Sequence, residues 1–262
     1  MLGYHERICH ENASVAKKKG EIMNVVVTGA NSGLGRALCT AFRSKSHMVI
    51  GTTHDNVAAR RDPELVYFEA GQKASPIQTC VSEILCMFDT IDVLINNAGT
   101  NAICPFEELT PGFIQHIMDV NFMTAVFMTQ KFLDHFNKPG TVVNIISDAA
   151  WRPMRHSLAY NCSKAALDMA TKQMARELTK PRDLSIIGIR PGKMTGTGMS
   201  TYIDQRVQEV RGWTPEQATE YFRQNSVSGL ELNPTDVAAF ILGIVTGGMV
   251  RQLSGACIDL VG

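Results

Sequence analysis

Two side chains at helical spacing, Tyr160 and Lys164, have the residue types needed for proton transfer. Residues four apart lie on the same face of a helix, so the phenol and the ammonium would be neighbours. A nearby cation lowers the pKa of a phenol because it stabilises the phenolate. A phenol tuned in this way can give or take a proton near neutral pH. The spacing also arises by chance, but of the five tyrosines only Tyr160 has a lysine four residues later.

A hydroxyl that could act with this phenol belongs to Ser147, thirteen residues before Tyr160. Ser147 ends the apolar run 142–147, so we expect it at the carboxyl end of a strand, where ligands bind in open parallel sheets. A catalytic hydroxyl would lie there, although a serine in such a place is also common as a cap.

A glycine-rich turn near the start of the chain could bind a dinucleotide. The β-branched run 25–27 leads into Gly29, Gly33 and Gly35, and a helical pattern begins at Leu34. Glycines let the chain turn sharply and bring bare backbone against a ligand. The helix that follows would point free N–H groups and its positive dipole end at a pyrophosphate.

The elements that must position these residues alternate along the chain. Strand patterns fall at 23–28, 47–52, 65–69, 91–96, 141–147, 184–189 and 256–261. Helical patterns fill 34–44, 74–88, 107–135, 157–179 and 234–247. This alternation predicts an α/β fold with a seven-stranded parallel sheet that is covered on both faces.

A small helical insertion follows the sixth strand at residues 198–232. It has two short helical patterns, of which Gly212 ends the first. Thr214 can cap the second, with Pro215 at its first position and Gln217 completing a capping box. Because the insertion follows the carboxyl end of a strand, it could cover a ligand, or it could be a surface hairpin without a role.

Composition bounds the function. The chain has 262 residues, of which 25 are basic and 25 are acidic. Because there is no excess of positive charge, the composition does not predict a nucleic-acid partner. The apolar run 237–250 is too short to span a bilayer, so we do not expect the chain to insert into a membrane. Residues 1–22 lack apolar periodicity and predict a flexible N-terminal tail before one domain at 23–262. Seven scattered cysteines without a C-x-x-C pair favour a reducing, cytoplasmic location, and no His/Cys set has zinc spacing.

Taken together, five motifs resemble those of the short-chain dehydrogenase/reductase family, in its single-domain branch. They are Thr28-Gly29-x-x-x-Gly33-x-Gly35, Asn96-Asn97-Ala98-Gly99, Ser147, Tyr160-x-x-x-Lys164 and Arg190-Pro191-Gly192. Each is weak alone, but all five occur in the family's order over about residues 23–262. 3-Oxoacyl-carrier-protein reductases, sugar and polyol dehydrogenases and steroid dehydrogenases share these motifs.

The resemblance implies a doubly wound Rossmann fold, a nicotinamide cofactor and hydride transfer between it and a secondary alcohol/ketone pair. It makes Tyr160 the catalytic acid or base. It also implies that Ser147 polarises and positions the substrate carbonyl. Lys164 would hold the nicotinamide ribose and lower the pKa of Tyr160, and Asn121 would carry a water in the proton relay. The implied cofactor-binding set, beyond Tyr160 and Lys164, comprises Gly29, Asn31, Ser32, Gly33, Leu34, Gly35, His54, Asn97, Ala98, Gly99, Pro191, Gly192, Met194 and Thr195.

Two departures from the family pattern concern cofactor contacts. Segment 69–72 lacks the aspartate expected beside adenine, and Thr195 and Thr197 straddle the position of an expected threonine. At the end of the second strand, Thr53 stands where enzymes that prefer NAD place an acid, and Asp55 comes slightly late. Arg60 and Arg61 could help to bind a 2′-phosphate. NADP is therefore the favoured cofactor, with NAD as the alternative.

Two further expectations concern partners. Apolar residues spread around helices 107–135 and 157–179, which relatives pair across a two-fold axis, so we expect a homodimer or homotetramer. The loop 151–156 carries Arg152 and Arg155, whose guanidinium groups suit an anionic or sugar-like small-molecule substrate. In the insertion, Tyr202, Arg206, Arg211 and Trp213 could close over the same pocket.

Two other functions fit parts of the sequence. A non-catalytic Rossmann nucleotide sensor would need the same turn, but such proteins usually lose the Tyr–Lys pair that this chain keeps. A sugar-nucleotide epimerase or dehydratase would need a larger carboxyl-terminal domain than this length easily allows.

Overall fold

The computed structural model describes residues 22–71 and 74–261, and the strands within them form a seven-stranded parallel sheet. The strands are β1 (Asn24–Val27), β2 (Met48–Thr53), β3 (Leu65–Tyr67), β4 (Ile91–Asn96), β5 (Phe136–Ile145), β6 (Leu184–Pro191) and β7 (Cys257–Leu260). The α-helices are α1 (Gly33–Arg43), α2 (Asn56–Arg61), α3 (Ala74–Met87), α4 (Pro111–Met118), α5 (Thr124–Phe132), α6 (Leu158–Arg182), α7 (Gly198–Arg211), α8 (Pro215–Asn225) and α9 (Pro234–Thr246). The predicted tail lies outside the described residues except for Ile22.

The strand order β3-β2-β1-β4-β5-β6-β7 reverses direction between β1 and β4. In doubly wound sheets the crevice at that reversal, at the carboxyl ends of the strands, is where ligands bind. Parallel register brings Val27 beside Ile95 and Asn96 beside Asn144, so the strand ends that carry the motifs share one edge. The predicted α/β doubly wound class is confirmed.

Alternating side chains of the strands fill two separate layers of core. Val25 and Val27 pack with Phe42 of α1 and Ile241 of α9 on one face. Val26 packs with residues of α3, α5 and α6 on the other. Because successive strand residues point to opposite faces, an all-apolar strand such as β1 must be covered twice.

Local sequence signals position the insertion as predicted. Gly212 adopts φ 65° after α7 and ends that helix. Thr214 caps α8 through a capping box with Gln217, and Pro215 occupies the first turn. No described helix is long and apolar enough to cross a membrane.

The largest differences from the predicted elements concern β5, the helix expected at 107–135 and the short helix α2. β5 begins earlier than predicted, at Phe136, and ends at Ile145, so Ser147 begins the 3₁₀ turn Asp148–Ala150 instead of ending a strand. The helix expected at 107–135 is divided into α4 and α5 by a π-type turn at Asp119–Met123, where Thr124 Oγ1 donates to the Asp119 carbonyl. The short helix α2 was not predicted, although its cap, Asp55, accepts hydrogen bonds from two of its N–H groups.

Candidate active site

A cavity of about 710 Å³ opens at the carboxyl ends of the strands, and residues of α7 and α8 line its other wall. Ser147, Tyr160 and Lys164 all line it. So does every residue of the predicted cofactor-binding set except Thr195. The fold thus brings the sequence motifs together in one place, over the crevice beside the reversal of strand order.

Thr28 and Asn97 fasten the glycine-rich turn to the turn after β4. Thr28 Oγ1 accepts hydrogen bonds from the N–H groups of Asn97 (3.0 Å) and Ala98 (2.9 Å). In return, Asn97 Nδ2 donates to the carbonyls of Thr28 (2.9 Å) and Gly29 (3.0 Å). This reciprocal set of bonds fixes the backbone on the floor of the cavity.

The glycine-rich turn fits a dinucleotide pyrophosphate. Gly29 adopts φ +65°, and a Cβ on Gly35 would lie 2.0 Å from the Gly29 carbonyl oxygen, so both positions require glycine. Ser32, at the N-cap of α1, makes no side-chain capping hydrogen bond, whereas α7 and α8 both begin with a capping box. The first N–H groups of α1 therefore remain for a ligand, and a helix N-terminus of this kind suits phosphate.

Tyr160 lies in the first turn of α6, and its side chain is almost completely buried. Burial raises the pKa of Tyr160 to about 12, and the neighbouring hydroxyl of Ser147 offsets part of this rise. Lost hydration therefore determines the direction of the net shift in the pKa of Tyr160, and the expected lowering of this pKa by Lys164 stays a prediction. The phenol is neutral at physiological pH and can serve as a proton donor.

Lys164 lies one helical turn later and is also buried. Its Nζ is 5.9 Å from the centroid of the Tyr160 ring and donates to the carbonyl of Ile145 at 3.0 Å. Burial lowers the pKa of Lys164 to about 8. The ammonium thus faces the backbone at the end of β5, with the ring of Tyr160 nearby.

Asn121 does not line the cavity, but it supports the wall behind Lys164. It lies in the π-type turn and is buried, and its amide bonds to both the N–H and the carbonyl of Thr100 and to Ser163 Oγ. A Cβ on Gly99 would lie 3.3 Å from Asn121 Oδ1 and 3.4 Å from Lys164 Nζ. The asparagine amide and the lysine ammonium therefore meet beside the same glycine.

Thr195 does not reach the cavity. Its side chain is exposed, and its N–H donates to the Leu232 carbonyl, because the chain forms a parallel bridge between Met194 and Leu232. Thr197 is buried instead and lies over the glycine-rich turn, with Cγ2 3.5 Å from where a Cβ on Gly33 would be. Of the two threonines that straddle the family position, the second is the one at the site.

The end of β2 carries no carboxylate that faces the cavity. Thr53 and His54 line it, whereas Asp55 Oδ1 accepts the N–H groups of Val57 and Ala58 at the start of α2. The two arginines of α2 do not line the cavity, and Arg60 Nε bonds to Asn56. Their expected role at a 2′-phosphate has no support in this geometry.

The two arginines of the loop before α6 are placed differently. Arg152 lines the cavity but pairs with Asp148 at 3.6 Å, and Arg155 is exposed and does not line it. From the insertion, Tyr202, Arg211 and Trp213 line the cavity as expected, whereas Arg206 pairs with Glu209 and does not. Sequence reasoning missed Tyr221 of α8, which also lines it.

Asp148 is a second residue that sequence reasoning missed. It follows Ser147 directly, lines the cavity and accepts a hydrogen bond from Ser147 Oγ at 3.1 Å. Burial raises its pKa, and the hydrogen bond from Ser147 and the charge of Arg152 oppose that rise. Its position next to Ser147 was the available signal in the sequence.

Comparison with known proteins agrees with this arrangement. The family model described as short chain dehydrogenase matches residues 23–208. The 3beta-hydroxysteroid dehydrogenase 1 of Eggerthella lenta is 31% identical over 184 residues, which cover 65% of this chain and 70% of that protein. The sorbitol-6-phosphate 2-dehydrogenase of Klebsiella pneumoniae is 24% identical over 91% of this chain and 94% of its own length.

Solved structures of low sequence identity share the fold. The L-sorbose reductase of Gluconobacter frateurii, complexed with NADPH and L-sorbose, superposes with a TM-score of 0.80 at 20% identity and covers 92% of this chain and 95% of its own. A variant of actinorhodin polyketide ketoreductase with NADPH gives a TM-score of 0.83 at 18% identity, over 93% and 97% of the two chains. Because the family model spans most of the chain, this protein belongs to the short-chain dehydrogenase/reductase family and is an NAD(P)-dependent oxidoreductase.

Proposed function

We propose that this protein interconverts a ketone and a secondary alcohol with NADP(H), with Tyr160 as the acid or base. The observation that carries the proposal is the joint placement of Ser147, Tyr160 and Lys164 on a cavity whose floor is the glycine-rich turn. When bound, the nicotinamide cofactor supplies or accepts the hydride. The glycine-rich turn, the Asn97–Gly99 turn and segment 191–194 are the groups that would hold it.

In the reducing direction, Ser147 donates a hydrogen bond to the carbonyl oxygen of the substrate. Tyr160, neutral because burial raises its pKa, gives its proton to the same oxygen. Lys164 holds the nicotinamide ribose and provides a charge beside the phenolate that forms. The phenolate must then regain a proton from solvent, and Asn121 would carry the water that takes part in this relay.

NADP(H) is the proposed coenzyme because the end of β2 presents no carboxylate to the cavity. A carboxylate there would bind the ribose 2′-hydroxyl of NAD and would repel a 2′-phosphate. Thr53 and His54 occupy this part of the cavity, and the carboxylate of Asp55 is engaged in capping α2. The NADPH bound in the two structural neighbours described above is consistent with this choice.

A polar substrate, anionic or sugar-like, is favoured over a bare steroid or alkyl ketone. The support is the set of charged and hydrogen-bonding side chains on the substrate side of the cavity, including Arg152, Tyr202 and Arg211. The named relatives act on compounds as different as a steroid and a sugar phosphate, so they do not choose among these classes.

Assembly and location complete the proposal. A homodimer or homotetramer is supported by the exposed Met169 on α6, which leaves 63% of an apolar side chain in water. A cytoplasmic location is supported by the described cysteines, since no disulfide joins any two of them.

The test of the proposed activity is the loss of NADPH absorbance in the presence of ketones of graded polarity. The panel holds dihydroxyacetone, a ketohexose, an aryl methyl ketone and a steroid ketone. We expect turnover that depends on both ketone and enzyme. NADPH that binds without oxidation by any ketone, and NADP⁺ that no alcohol reduces, would indicate a nucleotide sensor instead.

A further inference from the structure

Lysine and arginine side chains in the described chain line the cavity at four places. They are Arg152, Lys164, Lys193 and Arg211. A cation inside a cavity is costly unless a counter-charge or hydrogen bonds compensate for its lost hydration. The partners of these four side chains therefore indicate which of them could bind an anionic group of a ligand.

Three of the four cations have partners that the mechanism or the fold accounts for. Lys193 Nζ lies 2.7 Å from carboxylate oxygens of both Asp204 and Glu231. Arg152 pairs with Asp148. Lys164 donates to the backbone carbonyl of Ile145 and has its role in the proposed reaction. None of these three needs a substrate anion for compensation.

Arg211 pairs with no carboxylate in the described chain, and neither does Lys164, but Arg211, unlike Lys164, has no part in the proposed reaction. Its Nη2 donates to the backbone carbonyl of Arg155, its Nε is buried without a partner, and its Nη1 makes no hydrogen bond to the described residues. Its guanidinium carbon lies 4.9 Å from the ring centroid of Trp213 and 5.7 Å from that of Tyr221. Arg211 therefore has aromatic neighbours and unused donors in the cavity.

The backbone around Arg211 holds this cluster in place. Arg211 is the last residue of α7, and Gly212, in the left-handed region, turns the chain so that Trp213 comes back against it. The rings of Trp213 and Tyr221 lie 4.9 Å apart, which connects the end of α7 to α8. An arginine held by aromatic rings loses little further side-chain freedom when it binds an anion, because its planar donor fork is already oriented.

We propose that Arg211 binds an anionic group of the substrate, a carboxylate or a phosphate, with Trp213 and Tyr221 beside it. This inference rests on the proposed reaction and names the residue that selects its substrate. The proposal moves the expected recognition of an anion from Arg152 and Arg155 to Arg211. Arg152 is paired with Asp148, and Arg155 contributes its backbone carbonyl while its own side chain is exposed. Charge-assisted hydrogen bonds from guanidinium to such oxyanions are among the strong ones in proteins.

A binding experiment can use Trp213 itself as the reporter. The chain has two tryptophans, so Trp151→Phe leaves Trp213 alone. The protein, saturated with NADP⁺, is titrated with para-acetylbenzoate and with its methyl ester. A second arm uses dihydroxyacetone phosphate and dihydroxyacetone. We expect Trp213 fluorescence to change saturably, with at least one anion binding roughly 10- to 100-fold more tightly than its neutral partner. The arm with this preference separates carboxylate from phosphate recognition.

Two variants in the same background test the assignment. Arg211→Gln should abolish the preference for the anion, while Arg211→Lys should keep part of it because the charge remains. Arg206→Gln is the matched control, since Arg206 lies on the same helix, pairs with Glu209 and does not line the cavity. Thermal unfolding of each variant verifies that it is folded.

Equal binding of anion and neutral partner in both arms, or a preference that survives Arg211→Gln, would overturn the proposal. NADPH oxidation is measured separately with the neutral ketones. Turnover of these without anion preference would leave the reductase activity standing and remove the Arg211 subsite. Anion binding that depends on Arg211 without any turnover would do the reverse.

Discussion

Ser147 donates its hydroxyl hydrogen to Oδ1 of Asp148, its neighbour in sequence, at 3.1 Å. The hydroxyl oxygen of Ser147 also accepts a hydrogen bond from the N–H of Ala149 at 3.2 Å. A serine hydroxyl has a single hydrogen, so it cannot donate to Asp148 and to a substrate carbonyl at once. The ionised carboxylate of Asp148 therefore competes with the ketone.

This competition predicts that ketone affinity depends on pH through Asp148. Burial raises the pKa of Asp148 above the ordinary aspartate value, so protonation begins at a higher pH than usual. As the pH falls through that raised pKa, the carboxyl becomes a weaker acceptor and releases the Ser147 hydrogen. We expect KM for a ketone to decrease with falling pH in the wild type. Asp148→Asn, which cannot ionise, should give a flat KM profile, and an equal slope in both proteins would contradict the idea.

Replacement of the proton donor tests the catalytic assignment. Tyr160→Phe removes only the phenol oxygen, so NADPH binding should persist while kcat for ketone reduction falls by roughly 10²- to 10⁴-fold. Lys164→Ala should impair both, because the lysine is expected to hold the ribose as well. The measurements are steady-state kinetics and NADPH fluorescence titration. Wild-type rates in Tyr160→Phe would refute the mechanism.

Burial of Lys164 should also appear in the pH dependence of stability. Its pKa falls from 10.5 to about 8 in the folded protein, so between these values the unfolded chain binds more protons than the folded chain. Stability due to this group therefore rises with pH across that window. Relative to Lys164→Met, the wild type should gain about 2–3 kcal/mol in the free energy of unfolding between pH 7 and pH 10, by urea titration. A difference between the two proteins that does not change with pH would rule this out.

Coenzyme choice should change when a carboxylate is placed at the end of β2. His54 is exposed and lines the cavity, so His54→Asp introduces the charge without burying it, which Thr53→Asp would do. We expect the wild type to prefer NADPH, and the variant to lose roughly 10- to 100-fold of that preference in kcat/KM. Arg60→Gln is the control and should leave the preference unchanged. A wild type that prefers NADH would reject the NADP(H) assignment.

Assembly should depend on the exposed apolar side chain of α6. Met169→Glu places a charge where the proposed subunit contact would bury a methionine, so the assembly should dissociate to the 28.7 kDa monomer. Met249 is exposed to the same extent but lies outside the paired helices, so Met249→Glu should leave the assembly intact. Light scattering distinguishes these results. A monomeric wild type at micromolar concentration would count against the predicted assembly.

Local patterns predicted most of the fold and the centre of the site. The strands and the long helices follow from hydrophobic periodicity. The end of α7 and the start of α8 follow from two single residues, Gly212 and Thr214. The Tyr160–Lys164 pair and the glycine-rich turn are short-range motifs, so their geometry is set within one helix and one turn. The resemblance to the family then predicts one shared site for these motifs, and in the structure they line one cavity.

Contacts between distant segments were not predictable in this way. Arg211 meets the carbonyl of Arg155 across 56 residues of sequence, through a chain path that local periodicity does not determine. The bridge between Met194 and Leu232 decides that Thr197, and not Thr195, faces the glycine-rich turn. The raised pKa of Tyr160 depends on burial by the assembled fold, so the lysine four residues away was an incomplete guide.

The first turn of α1 lacks a side-chain cap, so a bound cofactor would supply the hydrogen-bond acceptors that a cap supplies elsewhere. With no side-chain bond from Ser32, the amides at the start of α1 should exchange their hydrogens with solvent more readily than those of the capped starts of α7 and α8. A bound pyrophosphate would protect these amides, so ligand binding and local helix stability become one equilibrium. The dinucleotide would thus act as the missing cap and tighten the segment that connects β1 to the rest of the sheet.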